Sequence, residues 1–364
     1  SSGGGDGDGG GTGEDDGGTP SGQDGGPPID GGADPALLPQ LTQLVPAQGT
    51  AGTQVTLTIH GGKITAGWTI NFDGQPIATT TAVLTDGTTA ATGVVTLAAA
   101  VATGQAPVWL SSGALRSNTL YFIVTPVAGA PTIVDYTPDN ALPGATVAVI
   151  GTNFATEPVT IRDPLGRVLP VVTTGITTWV GISRDRVDIV IPADMPSGVL
   201  TATNTKGSFR GRVFTVGQNL SRMTGATATS STQYNTTNWS TASGWDNNLQ
   251  TSWFSANGDC ATLTSCTTIP YFQVGFATPQ SVARIAMRGN REYAAGYDFT
   301  EGWFEVTGAD GASLWKARYL LPQPDRDLDI VFPAPIAGAA AVRFTSIADE
   351  SVEPGFSELE VFAP

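Results

Sequence analysis

Two stretches of this chain match each other at a constant separation of 92 residues. The separation holds near their starts, where Pro46, Gly52, Val55 and Leu57 correspond to Pro138, Gly144, Val147 and Val149. It holds again at their ends, where Phe122 and Val124 correspond to Phe214 and Val216. One offset kept from beginning to end indicates a tandem repeat. A unit of this length is too long for a solenoid and is typical of a sandwich of short strands.

Both copies, named repeat 1 (residues 39–127) and repeat 2 (residues 128–217), contain short runs rich in Val, Thr and aromatic residues. Gly, Pro and Asp separate these runs, as expected for strands joined by turns. The runs are 54–59, 69–72, 93–97, 108–110 and 121–124 in repeat 1, and 146–150, 159–162, 186–191, 200–203 and 212–216 in repeat 2. No stretch keeps a helical period. The sequence therefore predicts an all-β chain.

The opening of repeat 2 resembles the IPT/TIG family of immunoglobulin-like domains. The resemblance rests on Pro138, Gly144 and Val147, followed by the run Gly151, Thr152, Asn153 and Phe154. At the matching place repeat 1 departs from it, with His60, Gly61, Gly62 and Lys63. The resemblance implies two immunoglobulin-like β-sandwiches, which in bacterial surface proteins serve as spacers and sometimes bind partners. We expect a structural or solvated role for His60.

Residues 1–38 differ in composition from everything that follows. Their eight acidic residues have no Lys or Arg beside them, and glycine is abundant. Such a segment cannot bury enough apolar surface to offset its chain entropy, so it is predicted to be a disordered, extended tether. It resembles the region after the acylated cysteine of a bacterial lipoprotein, which would place a lipid anchor upstream of Ser1. A plain linker is the alternative.

Charge and composition exclude several classes of function. A formal charge of −15 argues against nucleic-acid binding, because phosphates would be repelled. No apolar run approaches the roughly 20 residues of a transmembrane helix. With one histidine and two cysteines, His-rich or Cys-type zinc sites are also excluded. Cys260 and Cys266 are predicted to form a short local disulfide, and the chain is predicted to be extracytoplasmic, at the cell surface or secreted.

The C-terminal module (residues 218–364) carries most of the large aromatics and lacks the repeat. Its segment 244–253 contains Trp245, Asp246, Asn248, Thr251 and Trp253, and the chain closes with the segment 355–362. Both segments resemble signatures of the discoidin (coagulation-factor type C) family. The resemblance covers the whole module and implies a galactose-binding-like jelly roll, with recognition loops at one end of two antiparallel sheets.

The same resemblance implies a structural Ca²⁺ ion. Calcium takes six to eight oxygen ligands, and the residues carried over for this role are Asp246, Asn248, Thr251, Ser357 and Glu358. Asn247 stands where the family has glycine, and asparagine tolerates a positive φ better than most residues. The alternative is that Asp246 and Thr251 only cap the loop through backbone hydrogen bonds.

Glycan-binding sites pair an aromatic platform with polar groups that hold hydroxyls. Tyr234 and Trp239, before the first signature, are the candidate platform, and Asn290, Arg291 and Tyr293 are the candidates in a second loop. The module has no histidine, whereas many galactose-binding relatives use one, so galactose itself is not predicted. For each of these residues a packing role is the alternative.

Catalysis is not predicted. Paired carboxylates are easily found in any acidic chain, and a Ser/His/Asp arrangement would have to take His60 from another domain. The sequence favours a non-catalytic carbohydrate-binding or adhesion protein, in which the repeats hold a glycan-binding jelly roll away from the anchoring surface like a rod. The alternative is a structural or assembly protein of a surface appendage, which acts through contacts with other surface proteins.

Overall fold

The structure is a computed structural model that describes residues 38–83, 89–99, 101–113, 115–155, 157–261, 266–293, 295–321 and 325–364. Of the predicted tether, all but Leu38 lies outside the described residues. The described residues form β-strands and two short 3₁₀ helices, Leu220–Arg222 and Thr241–Gly244. None of the helices among them is long and apolar enough to span a bilayer. The predicted all-β fold is confirmed.

Repeat 1 is a sandwich of two sheets. Its strands are β1 (Gln40–Val45), β2 (Gln48–Thr50), β3 (Gln54–Gly62), β4 (Thr69–Phe72), β5 (Gln75–Ile77), β6 (Thr79–Val83), β7 (Thr89–Thr96), β8 (Thr103–Ser112), β9 (Leu115–Arg116) and β10 (Leu120–Thr125). One sheet has the order β1-β3-β7-β6, and the other runs β4-β8-β10-β2 with β5 and β9 at its margins. Leu57 and Ile59 from the first sheet meet Val108 and Phe122 from the second in the core.

Repeat 2 has the same topology. Its strands are β11 (Thr132–Thr137), β12 (Asn140–Ala141), β13 (Thr146–Thr152), β14 (Thr160–Arg162), β15 (Val171–Trp179), β16 (Ile182–Val190), β17 (Gly198–Asn204) and β18 (Gly207–Val216). The sheets run β11-β13-β16-β15 and β14-β17-β18-β12. Val149 and Val187 from one sheet pack with Leu200 and Phe214 from the other.

The repeated glycines have the same backbone role in both copies. Gly52 has a φ of 83° and Gly144 a φ of 86°, in the left-handed region that favours glycine. Each amide closes its turn, Gly52 N on the Leu97 carbonyl at 2.7 Å and Gly144 N on the Ile191 carbonyl at 2.8 Å. The sequence match at these positions therefore reflects one shared turn.

Repeat 1 keeps the glycine that begins the Gly-Thr-Asn-Phe run of repeat 2, but two residues later than the offset of 92 predicts, at Gly61. β1 pairs Leu41 with Gly61, as β11 pairs Ile133 with Gly151. A Cβ on Gly61 would lie 2.3 Å from the Gln40 carbonyl oxygen, and the equivalent atom on Gly151 also meets a backbone oxygen. Both positions thus require glycine for close strand approach, at an offset of 90 instead of 92 residues.

The C-terminal module folds as a further two-layered β-structure. Its strands are β19 (Thr227–Ser230), β20 (Trp253–Phe254), β21 (Tyr271–Gly289), β22 (Phe299–Gly308), β23 (Ser313–Leu320), β24 (Leu328–Asp349) and β25 (Gly355–Phe362). The long strands β21 and β24 pass from one layer to the other. β21 pairs with β19 through residues 272–275 and with β25 through residues 284–289. Buried aromatic rings, among them Trp253, Phe272 and Phe356, fill the space between the layers.

The two repeats share one continuous sheet. β18 of repeat 2 pairs in parallel with β8 of repeat 1, with Phe209 opposite Thr103 and Arg210 opposite Gly104. The Arg210 guanidinium also binds the Asp73 carboxylate at 2.5 Å. A Cβ on Gly104 would lie 2.0 Å from the Arg210 carbonyl oxygen, so glycine is needed at this joint.

The C-terminal module packs against both repeats. The Asn118 amide binds the backbone of Leu41 in repeat 1 and donates to the Tyr319 hydroxyl of the module at 2.8 Å. On the repeat 2 side, Arg284 and Arg288 of the module face Asp139. Such buried polar contacts need partners on both sides, so they hold the modules together.

We expect Gly104→Ala to weaken the joint between the repeats and lower the free energy of unfolding by about 3 kcal/mol or more. Residue 104 has a left-handed φ of 88°, which alanine adopts only with strain, and the added Cβ would collide with the Arg210 backbone. Gly113→Ala is the matched control, because Gly113 also has a positive φ but open space around it. It should cost only about 1 kcal/mol. Denaturant unfolding of both variants measures the difference, and equal losses would contradict the close approach at Gly104.

Candidate functional site

One pocket of the C-terminal module is walled by aromatic side chains. We name it the aromatic pocket, and it is lined by Tyr234, Trp239, Phe254, Tyr293, Tyr297 and Glu353. Three of these residues, Tyr234, Trp239 and Tyr293, are the aromatic candidates from the sequence. Tyr234 and Trp239 come from one loop and Tyr293 from another. Trp239 and Tyr293 are 54 residues apart in the sequence, and the fold brings the two loops together.

Trp239 is at the centre of the aromatic group. Its ring centroid lies 5.2 Å from Tyr234, 5.8 Å from Phe254 and 5.9 Å from Tyr293, each in an edge-to-face arrangement. Edge-to-face packing fixes the rings relative to one another. Tyr234 and Tyr293 remain 44% and 51% exposed, so parts of this wall are open to solvent.

Short polar turns position the aromatic residues. In the first loop the Asn235 side chain accepts from the amides of Thr237 and Asn238, at 2.9 and 2.8 Å. In the second loop the Asn290 side chain accepts from the amides of Glu292 and Tyr293, at 3.0 and 2.9 Å. Asparagine is favoured at such turns because its side chain can bind the backbone two or three residues on.

Acidic groups complete the aromatic pocket. Glu353 lines it, and its Oε2 is buried without a hydrogen-bond partner. The Glu353 side chain is therefore an acidic member of an otherwise aromatic lining. Beside the pocket, burial raises the pKa of Glu292, whose carboxylate lies close to the Trp239 indole. Burial also raises the pKa of Asp298 to about 6, although the Asn290 amide at 2.8 Å opposes the shift.

The other two sequence candidates do not line the aromatic pocket. Asn290 shapes the second loop through the turn described above. The Arg291 guanidinium donates to the Asp325 carbonyl at 2.7 Å and to the Asp327 carboxylate at 2.6 Å. Asp327 also binds Arg212 of repeat 2 at 2.9 Å. We therefore place Arg291 in the contact between the module and repeat 2, and not at the aromatic pocket.

Oxygen atoms of the predicted calcium loop converge around Thr251. Its hydroxyl donates to both Asp246 carboxylate oxygens, at 2.9 and 2.8 Å, and lies 2.8 Å from the Asn248 carbonyl. Asn247 has a φ of 63°, the left-handed turn that the resemblance requires at this position. Carboxylate, carbonyl and hydroxyl oxygens are the donors that calcium prefers, so the chemistry of this set fits the ion.

Glu358 adjoins the loop and also forms an ion pair with Arg222. Its Oε1 accepts from the Asn248 amide at 2.9 Å, and its Oε2 lies 2.7 Å from the Arg222 guanidinium. Burial and the neighbouring Glu360 raise the pKa of Glu358. A cation at the loop would favour the charged carboxylate, as Arg222 does. Calcium and Arg222 would therefore share Glu358.

Ser357 contacts the loop through its hydroxyl, which donates to the Leu249 carbonyl at 3.3 Å. This oxygen accepts from the Arg291 amide at 3.0 Å and lies 3.1 Å from the Ser252 hydroxyl.

Over the described ranges, no group of three or more His, Cys, Asp or Glu side chains forms a metal centre.

Cys260 and Cys266 are joined by a disulfide, with their Cα atoms 5.3 Å apart. The residues between them are described only at Ala261. Its amide donates to the Asp349 carboxylate at 2.8 Å.

Sequence reasoning missed three residues of the aromatic pocket: Phe254, Tyr297 and Glu353. Phe254 directly follows Trp253 of the first signature, and Tyr297 lies four residues after Tyr293. This closeness in sequence to Trp253 and Tyr293 is the signal that could have identified Phe254 and Tyr297. Glu353 carries no such signal, because only the fold brings the loop before β25 to the aromatic residues.

Of the comparisons with known proteins, only the one with solved structures found similar chains. Neither the protein-family models nor the curated proteins contain a match to the chain. Among solved structures, it is similar to a family 32 carbohydrate-binding module from C. perfringens NanJ in complex with galactose, with a TM-score of 0.34 and 19% identity. That likeness covers 40% of this chain and 97% of the other.

Two further solved structures cover the same share of this chain. The lectin domain of lectinolysin complexed with Lewis b antigen has a TM-score of 0.33 and 13% identity, over 40% of this chain and 97% of that one. An F5/8 type C domain from Bacteroides fragilis has a TM-score of 0.32 and 14% identity, over 40% and 96%.

Asp298 makes the stability of the module depend on pH. Its pKa rises from 3.8 to about 6 on folding, so the folded state binds the extra proton between these values. The free energy of unfolding should therefore fall by about 2 kcal/mol as pH rises through this window. Asp298→Asn, which keeps the acceptor for the Asn290 amide, should remove this fall.

Thermal unfolding between pH 4 and pH 7 measures the effect. The control is Asp310→Asn, since Asp310 is an exposed turn residue that accepts from the Ala312 amide at 3.0 Å. It should follow the wild-type curve. Parallel curves for Asp298→Asn and wild type would show that Asp298 does not titrate in this window.

Proposed function

We propose that the C-terminal module is a discoidin-like carbohydrate-binding domain and that the aromatic pocket binds glycan. The observation that carries the proposal is a pocket whose lining combines Tyr234, Trp239 and Tyr293 with the acidic residue Glu353. A sugar ring has an apolar C–H face that packs on aromatic rings, and hydroxyls that donate to a carboxylate. The pocket supplies both kinds of contact.

The pocket favours a small sugar epitope over a long polysaccharide track. Its rings are packed edge to face around Trp239, which gives a compact group and not a row of parallel platforms. A terminal sugar residue would rest on the exposed parts of Tyr234 and Tyr293 and reach Glu353 with one hydroxyl. Partly exposed aromatic groups with a few polar atoms are typical of such sites.

The rest of the chain supports a non-catalytic adhesion role in this proposal. The repeats would be IPT/TIG-type immunoglobulin-like domains that support the module, and residues 1–38 would tether it at the cell surface, through a lipid anchor or a plain linker. The packing of the module against both repeats favours a rigid support rather than a row of flexible spacers.

Trp239→Ala should weaken glycan binding by at least tenfold, because it removes the central ring of the aromatic pocket. Trp303→Ala is the matched control: Trp303 is a partly exposed tryptophan of the same module, and it packs under Lys316 instead of in the pocket. A glycan array identifies the ligand, and calorimetry with that ligand compares the full-length variants. Equal binding by Trp239→Ala and wild type would reject the aromatic pocket as the glycan site.

Calcium is proposed as a structural ion at the Asp246 loop. Its ligands would be Asp246, Asn248, Thr251 and Glu358, with the Ser357 carbonyl. The ion would hold these oxygens together and so fix the loop. It has no part in the proposed sugar contacts.

Calcium should raise the melting temperature of the wild-type chain by several degrees, because it binds the folded state alone. Asp246→Asn should lose most of this increase. Asp310→Asn should keep it, since Asp310 makes the same kind of turn contact as Asp246 without the other oxygens. Differential scanning calorimetry with calcium and with EDTA makes the comparison. Identical melting in both solutions would reject the ion.

A second candidate function is assembly with other surface proteins. The edge strand β15 favours it, because Val171, Val172 and Ile176 are 43%, 57% and 71% exposed. Unpaired strand edges with apolar side chains can add a strand from another chain. Binding of a protein partner that survives Trp239→Ala and is lost in Ile176→Lys would favour this candidate.

A further inference from the structure

The charge around the aromatic pocket has one sign. Among the described residues, Glu353 is the only charged side chain in the lining, and no Lys, Arg or His joins it. Glu292 lies beside the pocket, with its carboxylate close to the Trp239 indole. Asp298 directly follows Tyr297, another residue of the lining. The pocket therefore lies in a negative field, which attracts a cation and repels an anion.

The arginines near the second loop do not cancel this field. Arg291 and Arg326 both oppose the rise in the pKa of Asp298. Each of them already has a carboxylate of its own, because Arg291 NH2 lies 2.6 Å from Asp327 Oδ1 and Arg326 binds Glu350. The two ion pairs are neutral as units, so the acids at the pocket keep their effect.

The rings of the pocket stand nearly perpendicular to one another. The interplanar angle is 75° between Tyr234 and Trp239, 70° between Trp239 and Tyr293, and 80° between Tyr293 and Tyr297. Rings at such angles form walls around a compact group, whereas a sugar ring packs on one flat face. The faces of aromatic rings carry negative charge density and attract cations. Several rings around a small space are the arrangement that recognises ammonium groups.

The size of the pocket limits what can enter it. Its volume is about 60 Å³, and one water molecule takes up roughly 30 Å³ in the liquid. A group of a few heavy atoms fits inside, but a whole sugar ring does not. Tyr234 and Tyr293 are the most exposed rings of the lining, so the rest of a ligand would contact them from the solvent side.

We propose that the aromatic pocket binds a positively charged ammonium group, either the protonated amine of an amino sugar or the quaternary amine of a choline-type ligand. The inference rests on the proposed function for the place of the site and adds the charge of the ligand. Contact with the faces of the rings and the field of Glu353 and Glu292 would both stabilise the cation.

Pairs of ligands that differ mainly in charge test this proposal on the full chain. Glucosamine carries an ammonium group, and N-acetylglucosamine is the same sugar without that charge. Choline is compared with dimethylbutanol, its neutral analogue with carbon in place of nitrogen. The readout is the indole resonance of Trp239 in protein labelled with ¹⁵N-tryptophan, assigned with Trp239→Phe, at a pH that keeps the amine protonated.

We expect at least one ammonium compound to bind about tenfold or more tightly than its neutral partner. A preference for glucosamine alone would identify an amino sugar as the source of the ammonium group, and a preference for choline alone would identify a quaternary ligand. These comparisons use the wild-type protein, so they do not depend on the folding of a variant.

Glu353→Gln should weaken binding of the preferred ammonium compound by about fivefold or more, because it removes the charge and keeps the shape of the side chain. Glu305→Gln is the matched control. Glu305 is a partly buried glutamate of the same module, and it lies 3.2 Å from Lys316 instead of at the pocket. It should bind as the wild type does. Melting temperatures show that both variants are folded.

Three results would overturn the proposal: equal or weaker binding of the ammonium member in both pairs, no shift of the Trp239 resonance with any of the four compounds, or equal binding by folded Glu353→Gln and Glu305→Gln. A neutral sugar that binds at Trp239 without any preference for ammonium would reject this inference and keep the proposed function. Saturable binding of choline by a protein that binds no sugar would reject the glycan and keep the ammonium site.

Discussion

The contact between repeat 2 and the C-terminal module depends on Asp329 and its two arginines. Arg284 NH2 lies 2.7 Å from Asp329 Oδ1, and Arg288 NH2 lies 2.9 Å from the same atom. Burial alone would raise the pKa of Asp329, but the two guanidinium groups outweigh it and lower that pKa. A buried charge persists only when it is paired in this way.

This pairing organises the elements around it. Arg284 also donates to the Thr215 hydroxyl of β18 at 2.7 Å, and β18 is the strand that joins the sheets of the two repeats. Arg288 extends the same contact to Asp139 of repeat 2, and both residues line a pocket between repeat 2 and the module. The ion pairs therefore connect the shared sheet, the module and the pocket. They also hold repeat 2 and the C-terminal module in contact.

The aromatic pocket lies within the same module and depends on different forces. Its rings are held by edge-to-face packing and by asparagine turns, with no arginine among its lining residues. Arg291 shows the division most clearly. It stands two residues from Tyr293 in the sequence, yet its guanidinium joins the ion-pair contact while Tyr293 joins the pocket. Neighbours along a loop can serve two separate sites because successive side chains point in different directions.

The sequence by itself determined the all-β fold, the tandem repeat and three aromatic residues of the pocket. These follow from local rules: strand-forming runs, turn glycines and loop aromatics act within a few residues of themselves. The tertiary structure alone decided that Gly61 matches Gly151 across a two-residue shift, that Arg291 belongs to a contact and that Glu353 belongs to the pocket. It also decided that Asp139 of repeat 2 and Arg288 of the module, which are 149 residues apart, lie in contact. Pairings over such distances depend on how whole sheets pack, and that packing minimises buried charge and empty space over the entire chain rather than within any one segment.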